Sequence, residues 1–275
     1  MQEMKALHPI PPAVQRWGYD HIPDVYRKQD PQWEEITNSG SFEAGLCRLV
    51  SGWNGEVFSR GPDSWISLDT YSIGIAHWWA DTAPNIFDEI CAQHPELAVY
   101  AWGKEAASEM MNPQFLKVFA PPKRGKMRHD PHLDGLLAGW HAIARHPDVI
   151  RTCVEEWFDN YVPAGIELMK KHSWKKGTSL AGMVRITNSR GNSGMKNIIR
   201  KAIKRVGSNA NEDKIIRTAF VDKNLYNKPE RLELIQSWPE FSGIAPSSVS
   251  TDSIDFDAAP RRVDGTTPQF TKVFV

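Results

Sequence analysis

The sequence predicts a mainly α protein (α+β class) with one small β-sheet or hairpin. Apolar residues recur at helical spacing through most of the middle of the chain, and no internal repeat interrupts them. One stretch departs from this. Residues 58–75 (FSRGPDSWISLDTYSIGI) pass through a Gly-Pro-Asp turn and then alternate β-branched and aromatic side chains, the pattern of a hairpin or three-stranded sheet. Punctuation supplies the third observation. Pro9, Pro11, Pro12, Pro23 and Pro31 mark residues 1–40 as an irregular arm, and the Ser/Asp/Thr/Pro run from Pro239 marks residues 239–275 as an extended tail or linker. The folded domain is expected over 41–238.

The elements follow in order. In 41–56, Phe42, Leu46, Leu49, Val50 and Trp53 share one face of a helix. The β stretch comes next. Asp130 and Pro131 form an N-cap and first turn for a helix over 130–145, with Leu133, Leu136, Leu137, Trp140 and Ile143 inward. Further helices are expected at 148–161, 163–172, 179–188, 194–206, 212–221 and 230–237, with a polar turn at 188–193. Phe241, Phe256, Phe270 and Phe274 give the tail spaced aromatics, which suit docking on the helical domain or on a carrier protein.

Composition excludes several classes. A chain of 275 residues buries a core without staples. Its 33 Lys and Arg match 33 Asp and Glu, so the electrostatic footprint of a dedicated nucleic-acid binder is missing and no nucleic-acid partner is expected. No run approaches the roughly 18 apolar residues that cross a bilayer, so no membrane insertion is expected. Residues 1–12 lack the apolar stretch of a secretory signal, which implies synthesis in a cytoplasm. Cys47, Cys91 and Cys153 are odd in number and far apart, the pattern of buried small hydrophobes rather than disulfides or a CxxC metal site. Neither a metal nor another cofactor is called for. The 11 tryptophans serve helix packing or, in part, as platforms for sugar rings.

Chemistry centres on Glu56. It follows Phe42 by fourteen positions, roughly 320° around a helix, and so shares the face of Leu49 and Trp53. A carboxyl group on an apolar face has its charged form penalised, which suits a general acid near neutral pH. Asp63 and Asp69 follow in turn contexts. Sixteen residues after Glu56 begins Ser72-Ile73-Gly74-Ile75-Ala76-His77.

This arrangement resembles the lysozyme superfamily, in which a helix ends in the catalytic Glu, a short sheet carries a second carboxylate, and a Thr-Ile-Gly-x-Gly-His type segment leads back into helices. Here the segment is SIGIAH, with small residues kept at both replaced positions. A second block, His146-Pro147-Asp148, then Tyr161-Val162-Pro163-Ala164, then 182–191 (GMVRITNSRG), is similar to the chitosanase-like members. Together the blocks span about 41–206. The resemblance implies a lysozyme-like, two-lobed helical domain with its small β-sheet at the active site. It also implies a glycoside hydrolase acting on the β-1,4 glycan of bacterial peptidoglycan, a muramidase of phage or antibacterial-effector type.

In that frame Glu56 is the acid, and Asp63 or Asp69 is the second carboxylate. Asp63, seven residues after Glu56 where phage-type lysozymes have nine, is the nearest equivalent of their hairpin-turn carboxylate, while Asp69 before Tyr71-Ser72 fits the chitosanase position better, and neither spacing is the family's own. A single-acid mechanism of the lytic transglycosylase kind uses Glu56 alone. Ser72 is a candidate for orienting the attacking water. Substrate contacts are expected from Tyr71, His77 and Trp78, and from the donors Asn188, Ser189, Arg190 and Asn192, against which stand a structural role for His77 and an ordinary helix connection for 188–193.

The competing functions are chitosan hydrolysis and an inactive lysozyme-like interaction module. The expected partner is a peptidoglycan glycan strand, reached by way of a phage particle, a holin or a secretion machine, with a delivery or immunity protein as companion. Arg190, Lys196, Arg200, Lys201, Lys204 and Arg205 form a basic stretch, either a solvated helix face or an attractor for an anionic polymer.

Overall fold

Helix α1 (Phe42–Ser51) starts where Ser41 Oγ accepts the amide of Ala44 at 3.1 Å, which satisfies one of the free donors of the first turn. The computed structural model describes residues 40–51, 65–66, 72–73, 83–102, 143 and 146–256. These residues are mostly helical, so the mainly α expectation holds for them. The chain divides into two compact units, one made of Met1–Glu35, Phe58–Cys153 and Phe256–Val275, the other of Ile36–Val57 and Val154–Asp255.

In the first unit, β1 (Trp65–Ile66) and β2 (Ser72–Ile73) pair antiparallel, Trp65 opposite Ile73 and Ile66 opposite Ser72. Helices α2 (Ala83–Gln93) and α3 (Pro95–Trp102) follow, and α4 (Pro147–Tyr161) contributes its first half. Ile86, Ile90, Leu97, Ile143, Val149 and Ile150 are buried. Thr152 is buried as well, and its hydroxyl donates to Gln93 Oε1 at 3.0 Å. With its one proton spent there, it accepts from His94 Nε2 at 2.9 Å, which assigns His94 the Nε2–H form.

The second unit is built around α6 (Gly177–Val206), against which pack α1, α5 (Pro163–His172), α7 (Glu212–Val221) and α8 (Pro229–Ser237). Its core is Leu46 and Leu49 of α1, Met183, Val184, Ile186, Met195 and Ile199 of α6, Ile216 and Phe220 of α7, and Ile235 of α8. Local signals set the ends. Pro163 opens α5, whose last turn closes at Ser173 in the left-handed region, φ 55°, with the Trp174 amide on Met169 O at 2.9 Å. Asn211 caps α7 by accepting the Lys214 amide at 2.9 Å.

Two expectations need correction. The two helices expected at 179–188 and 194–206 are present, joined across a kink within α6, but the polar turn expected between them at 188–193 shrinks to one non-helical residue, Gly191, at φ 67° and ψ 170°. The reason is local bonding: Asn188, Ser189 and Arg190 stay helical, with Ser189 Oγ donating to Arg185 O at 3.3 Å. Only glycine occupies that corner of backbone space readily, so the break falls there.

The boundary at 238 is also displaced. Residues 239–255 belong to the packed second unit. Pro239–Phe241 forms a 3₁₀ turn, and Phe241 is wholly buried with its ring 5.1 Å from Phe42, edge to face. The Gly177 amide donates to Gly243 O at 2.9 Å, and the Ala245 amide donates to Lys175 O at 2.7 Å. Ile254 is buried too. The segment reads as a tail because its composition is polar, yet a few spaced apolar residues and backbone hydrogen bonds suffice to hold it down.

Helix α1 is described as far as Ser51, so the remainder of the helix expected to 56 lies outside the described residues, as does 130–145 apart from Ile143.

Candidate functional site

Glu56, Asp63, Asp69, Tyr71, His77 and Trp78 lie outside the described residues, and of Ser72 only its backbone place at the start of β2 is described. What the structure does locate is the polar group on α6. Asn188 Oδ1 accepts the indole Nε1–H of Trp157 at 3.1 Å. Ser189 Oγ lies 2.8 Å from the Tyr226 hydroxyl. Asn192 Nδ2 donates to Asn160 O at 3.0 Å. All three have at least one polar group engaged in bonds that fix helices α4, α6 and the α7–α8 connection to one another, the work of structural polar residues. Arg190 is exposed. Trp157 is likewise core, its ring stacked on Tyr161 at 5.9 Å and 19°.

The three cysteines are buried, as their types and spacing lead one to expect, and none is bonded to another. Burial pushes the Cys91 thiol up to about 12, with Asp88 adding to it, and raises Cys47 as well, so neither supplies a thiolate at neutral pH. Among the described residues no group of three or more His, Cys, Asp and Glu has the geometry of a metal site.

A cleft of about 340 Å³ lies between α5 and the second half of α6. Leu168, Ile199 and Ile203 form an aliphatic lining, and Glu167, Lys171, His172, Lys196 and Arg200 supply the polar groups. Spacing explains the grouping: Glu167 and Lys171, like Lys196 and Arg200, are four residues apart and so stand one turn above each other on facing helices. Lys196 Nζ bridges to Glu167 Oε2 at 2.6 Å, and that bond holds the Glu167 carboxyl below the usual carboxylate range. Arg200 Nη2 donates to Asn197 Oδ1 at 2.8 Å. His172, stacked on Trp174 at 5.1 Å, has its pKa lowered by partial burial and by the Lys171 charge, so it stays neutral near pH 7.

Of the basic stretch read from 190–205, Lys196 and Arg200 stand in one wall of this cleft, while Arg205 pairs with Asp222. Residues 167–172 make the other wall and were not singled out in the sequence. A charge count over 163–206 carries the signal, since eleven Lys and Arg there face a single acid, Glu167, in a chain whose 33 cations and 33 acids balance only as a whole. All of these cations except the buried Arg185 are exposed, and two of them, Lys176 and Arg205, pair with Asp213 and Asp222.

Among the described residues no helix is long and apolar enough to cross a membrane. Comparison with family models, curated proteins and solved structures finds no match to this chain.

Proposed function

We propose that the protein is a lysozyme-like glycoside hydrolase that cleaves the β-1,4 bonds of bacterial peptidoglycan. What supports the reading is the order of elements around the SIGIAH segment. A helix with a buried apolar face, α1, comes first, an antiparallel strand pair whose second strand opens that segment comes next, and helices resume after it. In this reading Glu56 is the neutral acid that protonates the leaving glycosidic oxygen. Asp63 or Asp69 activates a water or steadies the oxocarbenium-like centre, and Ser72 orients that water. The fold is then a two-lobed lysozyme-like domain with the strand pair beside its site.

The charge of α5 and α6 bears on the substrate. Chitosan is a polycation and calls for an acidic surface, whereas 163–206 carries a surplus of ten positive charges, eleven less one. That favours the anionic wall polymer over chitosan.

The test is a zymogram of the wild type and Glu56→Gln on purified cell walls and on chitosan. Clearing of walls by the wild type alone is the expected result. Equal clearing by the variant removes Glu56 from the mechanism, clearing of chitosan alone exchanges the substrate, and no clearing by either protein leaves an inactive interaction module. A 1,6-anhydro product identifies the single-acid transglycosylase route.

A further inference from the structure

We propose that the cleft between α5 and α6 is a separate binding site for anionic groups, carboxylate or phosphate, carried on an extended glycan. The choice of polymer rests on the wall-hydrolase reading; the anion chemistry does not.

The cations set the ligand's charge. Lys171, Lys196 and Arg200 converge on one cleft, and the only acid there among the described residues, Glu167, is already bonded to Lys196. Lys171 and Arg200 therefore carry net positive charge into the opening. Beyond the rim, Lys204 is exposed four residues after Arg200, one turn further along α6, whereas Lys170 and Lys201 fall on other faces of their helices. Lys196, Arg200 and Lys204, spaced one turn apart along α6, fit a ligand with repeated charges better than a single small anion.

The lining sets the ligand's body. Leu168 and Ile199 are nearly buried aliphatic side chains at the floor, with Ile203 beside them. The one ring at the cleft, His172, is stacked against Trp174. Single-stranded nucleic acids are held by open aromatic faces on which bases stack, and the cleft offers none. A cation rim over an aliphatic floor instead accepts the acyl, methyl and ring C–H faces of an acidic sugar or its short peptide substituent, while the charged group meets Lys171 and Arg200.

The experiment is co-sedimentation of the full chain with purified sacculi over a range of salt concentrations. The Glu56→Gln background keeps the polymer intact during the measurement. The doubly substituted Lys171→Gln/Arg200→Gln protein is compared with Lys214→Gln/Lys223→Gln, an equal loss of charge at exposed lysines outside the cleft. Because all four side chains are exposed, both proteins should keep the parent melting temperature. The expected result is about tenfold weaker binding and a shallower salt dependence for the cleft variant, with the control within about twofold of the parent.

Sacculi stripped of phosphate-bearing polymers, and sacculi with amidated carboxylates, tell which group is bound, and loss of binding with either supports the proposal. Three results overturn it: an unchanged cleft variant, a control that loses as much as the cleft variant, or duplex DNA held more tightly than sacculi at the same salt. Release of reducing ends by the unsubstituted protein is measured separately. Absence of that release with binding still dependent on the cleft defeats the hydrolase reading alone.

Discussion

The indole Nε1 of Trp157 donates to Asn188 Oδ1 at 3.1 Å, joining a buried ring on α4 to the middle of α6. An amide that looks from sequence like a saccharide contact is thus the acceptor for a tryptophan that water does not reach. Removing it leaves a buried N–H without a partner. Asn188→Ala should cost about 1–3 kcal/mol in urea unfolding, whereas Asn188→Asp, which keeps an acceptor, should cost less. Equal losses in the two variants would show that the hydrogen bond is not what matters at this position.

Gly191 is the corner of α6, and a Cβ there would meet nothing within 4 Å. Any cost of Gly191→Ala is therefore backbone strain at φ 67°, expected at about 1–3 kcal/mol. Thermal unfolding checks this, and an unchanged midpoint would mean that the break relaxes into continuous helix.

Phe241 and Gly177 meet so closely that a Cβ on Gly177 would lie 2.7 Å from the Phe241 carbonyl oxygen. Backbone cannot yield as a side-chain tip can, so Gly177→Ala should lower the melting temperature clearly. Phe241→Ala, which empties a fully buried site, should cost about 3–5 kcal/mol. Chains ended after Ser237 should unfold at least as easily as Phe241→Ala. Normal stability of that truncated chain would return 239–255 to the status of a tail.

The pH dependence follows from His172. Its folded pKa is lowered, first by partial burial and then by Lys171, so the folded state prefers the neutral ring. The associated stability is complete above the unfolded value of 6.5 and is lost as pH falls below it. Denaturation midpoints measured from pH 8 down to 5 should decline below about pH 6.5, and His172→Gln should flatten that decline. An unaltered profile in the variant would assign the effect elsewhere.

Much of the helical framework is written locally. Pro163 at the head of α5, Asn211 at the cap of α7, and the inward periodicity of α4, α7 and α8 each depend on residues within a turn or two, so sequence alone locates those helices. The burial of all three cysteines follows in the same way from their types and spacing. The motif around Glu56 and Ser72 is also a matter of sequence order, and the proposal of a wall glycan rests on it. Tertiary structure decided the rest, because the partners are distant in the chain. Phe241 is core through Phe42 and Gly177, and Asn188 is structural through Trp157. Lys196 is one wall of a cleft through Glu167 and Lys171 on a different helix. No local pattern encodes such encounters, since the same side chains left in water would read equally well as tail, sugar donor and solvated helix face.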